Sequence, residues 1–169
     1  VWLLEDGDAW TLVDTGINNA DVRAAWEGPL LAYLRGRPLR RIVCTHHHPD
    51  HAGLAKWLQD RTGAVVWMTR PEDEVMRRLE RAWHDEEYAR SRIPHYEIEG
   101  LYCTPDLHQF MHAQTYRGAM AGAPERIAHY VEHGEVLELG ARRWRAYVLR
   151  GHTDGQIVLH DDAGGLLIA

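Results

Sequence analysis

The most informative stretch of this sequence is Thr45-His46-His47-His48-Pro49-Asp50-His51-Ala52-Gly53. It follows an apolar run at 39–45 that is rich in β-branched residues and is therefore predicted to be a strand. Because alternate residues of an extended backbone point the same way, His46, His48 and Asp50 are expected to face one side. Imidazole nitrogens and carboxylate oxygens suit zinc, and also iron or manganese. The stretch therefore predicts a metal site at the end of this strand.

His51 directly follows Asp50 and must turn to a neighbouring position. The stretch then offers four ligand groups, too many for one tetrahedral ion that keeps a position open for water, so two adjacent ions are the economical interpretation. A second loop, Arg150-Gly151-His152-Thr153-Asp154-Gly155, also follows a predicted strand, and its His152 can supply one more imidazole. The alternatives are an ordinary loop histidine at His152 and an adventitious histidine tract in the first stretch.

Composition places the chain among ordinary globular domains. It has 169 residues, of which 45% are hydrophobic, and a net charge of -6, which disfavours a general nucleic-acid binder. No apolar run is long enough to span a membrane. Cys44 and Cys103 are too few and too far apart for a disulfide framework, Cys44 is expected to be a small buried hydrophobe, and a reducing cytoplasm is the expected compartment. The apolar runs at both ends indicate a piece cut from a longer protein.

Hydrophobic periodicity predicts one α/β domain over 1–169, with a helical insert at about 71–134. The predicted strands are 1–4, 9–13, 39–45, 64–68, 135–139, 143–149, 156–160 and 166–168. The predicted helices begin at Asn18 or Asn19 with a kink at Pro29, span 53–61, and run from Pro71 to about Arg92. The region from Ile93 to about His133 is expected to be helical and irregular.

These motifs resemble the metallo-β-lactamase fold superfamily. The family signature His-x-His-x-Asp-His after a strand is matched by His46, His48, Asp50 and His51. The family's later Gly-His-Thr loop is matched around His152, and the segment Asp14-Thr15-Gly16 is similar to its Asp-Thr-Gly. The resemblance implies a four-layer αββα sandwich with a helical insert. The triple histidine is similar to that of glyoxalase II, although the interval between the two motifs is longer here.

The resemblance also implies the roles of these residues. His46, His48 and His152 would hold a first ion, and Asp50 and His51 a second, both taken to be Zn²⁺ with Fe or Mn as alternatives. A bridging Asp and a final His ligand are expected beyond Ala169.

Two ions held in this way lower the pKa of a shared water, and the resulting hydroxide attacks an electrophilic carbonyl or phosphorus. Asp50 is expected to orient that hydroxide by accepting its hydrogen bond. Asp14 and Thr45 are predicted to orient ligand imidazoles from behind. The alternative for Asp14 is a plain turn residue.

The predicted function is hydrolysis of a thioester, ester or lactone-type bond in a small molecule. The alternatives are a β-lactam-hydrolysing or phosphodiesterase/nuclease member of the superfamily, or a mononuclear iron sulfur dioxygenase. No nucleic-acid or membrane partner is expected, and the sequence leaves the oligomeric state open. The pairs His108/His112 and His129/His133 have the i, i+4 spacing of a helical metal site, but neither has an acidic or Cys companion, so a structural role is favoured.

Overall fold

The first of two sheets contains the histidine stretch at the end of one of its strands. The computed structural model describes residues 1–84, 87 and 118–169. The strands of this sheet stand in the order of the chain: β1 (Trp2–Asp6), β2 (Ala9–Val13), β3 (Leu39–Val43), β4 (Val65–Met68) and β5 (Ile127–Tyr130). β1 and β2 form an antiparallel hairpin, whereas β2, β3, β4 and β5 are parallel to one another. The carboxyl ends of β3, β4 and β5 therefore meet at one edge of the sheet.

The second sheet is antiparallel throughout. It consists of β6 (Val136–Leu139), β7 (Arg142–Leu149), β8 (Gln156–Asp161) and β9 (Leu166–Ile168), again in chain order. The four strands agree with the sequence predictions to within one residue at each end. The loop that carries His152 joins β7 to β8, so it belongs to a different sheet from His46 and His48.

Within the residues that the structure describes, the helices with assigned bounds precede β5 in the chain. They are α1 (Ala20–Ala25), α2 (Leu31–Tyr33), α3 (Pro49–Ala52), α4 (Ala55–Thr62) and α5 (Arg70–His84), with a π-helical turn at Trp26–Leu30 between α1 and α2. Asn19 begins α1 as predicted, because its side chain accepts a hydrogen bond from Val22 N at 2.8 Å. Pro29 lies in the π-helical turn, where the predicted kink occurs. Among the described residues, no helix is long and apolar enough to cross a membrane.

Both faces of the first sheet are buried, because alternate residues of its strands enter two different cores. Leu12 and Ile42 pack with helical residues such as Leu58 in one core. Their neighbours Val13 and Val43 pack against the second sheet in the other core. This alternation gives a mixed α/β fold in which a helical layer covers one face of the first sheet and the second sheet covers the other, which confirms the predicted class. A helical layer on the second sheet is not seen within 118–169.

The prediction of a helical insert to about residue 134 is wrong at its carboxyl end. Residues Ile127–Tyr130 form β5, which pairs in parallel with β4 through Val66 and Ile127. The strand was missed because it has only four residues and its partner lies about 60 positions earlier, so no local pattern marks it. Cys44 is fully buried in the first core, as predicted. The insert residues 88–117, including Cys103, His108 and His112, lie outside the described part of the chain.

His129 and His133 do not form a helical pair. His129 is in β5, where its ring lies against Trp67 and its Nε2 is 2.7 Å from Glu135 Oε1. His133 lies beyond that strand, and its Nδ1 is hydrogen-bonded to the Val148 main chain at 3.2 Å. Their separate partners support the structural role favoured from the sequence.

Candidate metal centre

Three histidines from two sheets meet at one point. The chain turns into the His46–His48 segment just after β3, and His152 comes from the loop after β7. One ring nitrogen from each of His46, His48 and His152 lies within 4.8 Å of the other two. The ring centroids are 4.7 to 4.9 Å apart. The structure thus brings together the three residues that the family resemblance assigns to a first ion.

The environment of His46 fits a metal ligand. The side chain is buried, and its Nε2 has no hydrogen-bond partner within the described structure. Burial, followed by the nearby imidazoles of His51 and His48, lowers the pKa of His46 to about 4, so the ring is neutral at pH 7. An unpartnered buried nitrogen is costly unless a ligand engages it. The donor chemistry of three imidazoles matches zinc and similar borderline divalent ions.

Asp14 and Thr45 fix the direction in which two imidazoles present their lone pairs. Thr45 Oγ1 lies 2.9 and 3.0 Å from the two Asp14 carboxylate oxygens and 3.0 Å from His46 Nδ1. Because a carboxylate can only accept, the hydroxyl donates to Asp14, and His46 Nδ1–H donates to the hydroxyl. His51 Nδ1 donates to Asp14 Oδ2 at 2.8 Å. Both rings therefore carry a proton on Nδ1, which makes Nε2 the nitrogen that can bind a metal. In His46 that atom has no partner, and in His51 it lies near Asp50.

Asp14 has features of both interpretations that the sequence left open, a turn residue and a partner of the histidines. It directly follows β2 and has a left-handed backbone conformation, with φ of 60°, as a turn residue would. Its buried carboxylate also accepts the Thr45 backbone N–H at 2.8 Å. This unusual conformation is stabilised by the hydrogen bonds that the carboxylate receives.

Asp50 and His51 lie beside the three-histidine cluster and outside it. His51 has its ring centroid 4.0 Å from that of His46, and its Nε2 is 3.4 Å from Asp50 Oδ2. The Asp50 side chain is 71% exposed. The hydrogen bond to Asp14 is the main cause that raises the pKa of His51, against the opposing effect of burial. The two candidates for a second ion are therefore adjacent, at the solvent side of the cluster.

Glu72 is a buried residue of the site region that sequence reasoning did not identify. It lies in the first turn of α5 and is fully buried. Its Oε2 accepts hydrogen bonds from His47 N at 2.9 Å and His47 Nδ1 at 2.5 Å, and its Oε1 accepts Gly155 N at 2.8 Å. One carboxylate thus joins the first histidine loop to the His152 loop. An acid in the first turn of a helix is common, so the sequence offered no signal that it is internal.

The pKa of Glu72 reflects this setting. Burial alone acts to raise it, but hydrogen bonds from the side chain and backbone of His47 outweigh that effect and hold the pKa at about 2. The group is therefore a buried carboxylate that stays ionised at neutral pH.

Two glycines permit the sharp turns around the site. A Cβ at Gly53 would lie 2.2 Å from the carbonyl oxygen of Pro49 and 2.8 Å from those of Ala119 and Gly16. Gly151 has φ of 143°, which favours glycine. The backbone can therefore close the first loop into α4 and turn His152 toward the cluster.

The sequence matches known proteins along its whole length. The family model described as "Metallo-beta-lactamase superfamily" matches residues 1–169. The chain is 26% identical over 167 residues to the "Probable metallo-hydrolase YqjP" of Bacillus subtilis (strain 168), covering 97% of this chain and 50% of that protein.

Solved structures are also similar to this chain over nearly its whole length. A beta-lactamase domain protein from Burkholderia ambifaria has 30% sequence identity and a TM-score of 0.78, covering 99% of this chain and 48% of that chain. The metallo-beta-lactamase family protein TTHA1429 from Thermus thermophilus has 26% identity and a TM-score of 0.73, covering 99% of this chain and 52% of that chain. The chain therefore spans about half the length of the relatives it matches.

Proposed function

The chain belongs to the metallo-β-lactamase superfamily, and on that premise we propose that the protein is a metal-dependent hydrolase of a small molecule with a thioester, ester or lactone bond. The observation that carries the proposal is the cluster of His46, His48 and His152, with the buried, unpartnered Nε2 of His46 within it. The alternative of an adventitious histidine tract does not account for a third imidazole delivered from the other sheet.

The residues divide into two ligand groups. His46, His48 and His152 would hold the first ion, and Asp50 with His51 would contribute to a second, each proposed as Zn²⁺. When bound, such ions supply a water of lowered pKa and a Lewis acid for the substrate oxygen. Nitrogen and oxygen donors also suit Fe and Mn, so the metal is part of the proposal and of its test.

The remaining residues prepare the site for this chemistry. Asp14 and Thr45 hold His46 and His51 in the tautomer with a free Nε2, by the contacts described above. Asp50, whose side chain is exposed, would accept a hydrogen bond from the attacking water and orient it. Preformed ligand directions reduce the reorganisation that binding and reaction require.

The test replaces one ligand and one matched histidine in the full-length protein. His48→Ala should remove bound metal, with an affinity loss above about 100-fold, beyond the range of an outer-sphere change. Hydrolysis should be lost together with the metal. His160→Ala is the control. His160 is on β8, outside the three-histidine cluster, and is hydrogen-bonded to Asp162. Unchanged metal content and turnover in His48→Ala would refute the proposal.

The substrate class is tested in the same preparation. Thioester, lactone, β-lactam and phosphodiester substrates are assayed in parallel, with metal content measured by mass spectrometry. Preferred turnover of thioesters or lactones with zinc or manganese supports the proposal. Preferred β-lactam or phosphodiester cleavage, or iron together with oxygen consumption, would replace it by the corresponding alternative.

A further inference from the structure

A groove of about 380 Å³ lies at the same edge of the first sheet as the candidate metal centre. Arg70 directly follows the loop after β4, His133 lies just beyond β5, and Arg150 directly follows β7; all three line the groove. Since β3, β4 and β5 are parallel neighbours, the groove opens where the histidine loop also emerges. The carboxyl edge of a parallel sheet is a common place for ligands to bind.

The groove is physically joined to the His152 loop. Thr69, which lines the groove, donates a hydrogen bond from Oγ1 to Gly155 O at 2.7 Å. Arg150, which also lines the groove, is two residues before His152. The groove therefore borders the loop that carries His152.

The groove carries two guanidinium groups that lack carboxylate partners in the described part of the chain. Arg70 lies over the ring of Tyr130, with 4.2 Å from Cζ to the ring centroid. Asp73, one helical turn along α5 from Arg70, is engaged by Tyr130 Oη at 2.7 Å and lies 2.8 Å from Arg77 Nε. Glu132 is the carboxylate that lines the groove, so the described lining has a net positive charge.

A second arginine-lined cavity differs, because two of its three arginines have carboxylate partners. It has about 500 Å³ and lies against β7 and the turn after β8. There Arg142 is paired with Asp161, and Arg145 Nε lies 3.4 Å from Asp162 Oδ2. These two arginines are neutralised by the chain itself, whereas Arg70 and Arg150 are left for another anion.

We propose that the groove of Arg70 and Arg150 binds an anionic group of the substrate, a carboxylate or a phosphate, and so holds its scissile bond near the histidine cluster. Guanidinium groups present paired donors that match both kinds of anion. The groove volume is of the size that accepts part of a small molecule. This inference rests on the proposed hydrolase and deepens it by naming the substrate as an anionic ester or thioester.

The test compares esters that share one leaving group. The probes are 4-nitrophenyl acetate, mono-4-nitrophenyl succinate and 4-nitrophenyl phosphonoacetate, hydrolysed by the full-length protein. Arg70→Ala and Arg150→Ala should each lower the ratio of kcat/KM for the succinate ester over the acetate ester by about 3- to 5-fold, the value of a partly exposed ion pair. Glu132→Gln should raise that ratio. The phosphonate ester, measured likewise, shows which anion the groove prefers.

Arg143→Ala is the matched control, because Arg143 is exposed on β7 and lines the other cavity. It should leave the ratio unchanged. An equal fall with all three esters in Arg70→Ala and Arg150→Ala, or a ratio that does not move, would overturn the anion groove.

Direct binding separates this inference from the proposed hydrolase. Isothermal titration with succinate and with inorganic phosphate is measured on the wild-type protein and on both arginine variants. If no ester is hydrolysed, the hydrolase proposal fails, yet weaker binding in the variants still supports the groove. Equal affinity of wild type and variants for both anions overturns it whatever the catalytic result.

Discussion

His46 and His152 contribute to one cluster of imidazoles, yet their surroundings differ. His46 is 4% exposed, and its Nδ1 is held by Thr45, which in turn is held by buried Asp14. His152 is exposed on a loop whose described anchors are backbone contacts, from Gly155 N to Glu72 and from Thr69 to Gly155 O. The ring of His46 is itself held by a side chain, whereas the described contacts of the second loop hold Gly155, three residues from His152. Imidazoles can therefore meet at one point when one ring is held directly and the other only through its loop.

The largest effect, on metal affinity, is expected when one histidine is removed from either loop. His46→Ala and His152→Ala should each weaken metal binding by more than about 100-fold, because either change takes one imidazole from a three-nitrogen set. The check is titration with zinc against a chromophoric chelator. Near-wild-type affinity in His152→Ala beside a large loss in His46→Ala would break the view that both loops share one ion.

The next largest effect is expected when the Asp14 carboxylate, which supports the first loop, is removed. Asp14→Ala should lower metal affinity by about 10- to 100-fold, since both imidazoles lose the partner that sets their tautomer. It should also lower the free energy of unfolding by about 1–3 kcal/mol, because the buried Thr45 N–H loses its acceptor. Asp14→Asn tolerates the left-handed conformation and tests the charge alone. Wild-type affinity in both variants would show that Asp14 is only a turn residue.

A smaller, pH-dependent effect concerns the link between the loops. Glu72→Gln should lower the free energy of unfolding by about 1–3 kcal/mol at pH 7, because three donated hydrogen bonds lose their charged acceptor. The pKa of Glu72 is lowered from 4.5 to about 2 in the folded protein. A lowered acid pKa stabilises the fold above the unfolded value, and this contribution is lost as the pH falls from 4.5 through 2.

Urea unfolding of the metal-free protein at several pH values between 3 and 7 measures the contribution of Glu72 to the free energy of unfolding. The difference between wild type and Glu72→Gln should narrow as the pH falls below 4.5. Glu74→Gln is the control, as Glu74 is exposed on the same helix. A difference that stays constant with pH would contradict the assigned pKa.

The smallest expected effect is at Asp154, the exposed acid of the second loop. Asp154→Ala should change the free energy of unfolding by less than about 0.5 kcal/mol, as for most surface substitutions. Metal affinity should change less than about twofold, in contrast to Asp14→Ala. A large loss in zinc titration would show that the second loop also depends on a side-chain carboxylate.

Local patterns predicted most of the strands, because alternating apolar residues report a buried strand wherever it lies. The strands β2 and β6 to β9 are examples. The histidine stretch after β3 was also recognised from local sequence. The candidate metal site could also be predicted from local sequence, because His46, His48 and His152 each belong to a short motif.

The parts that were missed depend on distant partners. β5 is defined by pairing with β4 about 60 positions earlier, and Glu72 by contacts with His47 and Gly155 at separations of 25 and 83 residues. No local periodicity encodes such contacts. They follow only from the packing of the two sheets.

The distribution of the three histidines over two sheets has a thermodynamic consequence. His48 and His152 are about 100 positions apart, and the loops that carry them meet only when β3 and β7 are docked. A ligand that engages both histidines binds the docked sheets and not the unfolded chain, in which the two loops are apart. Its binding free energy is added to that of folding, so the midpoint of thermal unfolding rises with the concentration of free ion. An ion held by the three histidines would thus make separation of the two sheets and its own release a single cooperative event.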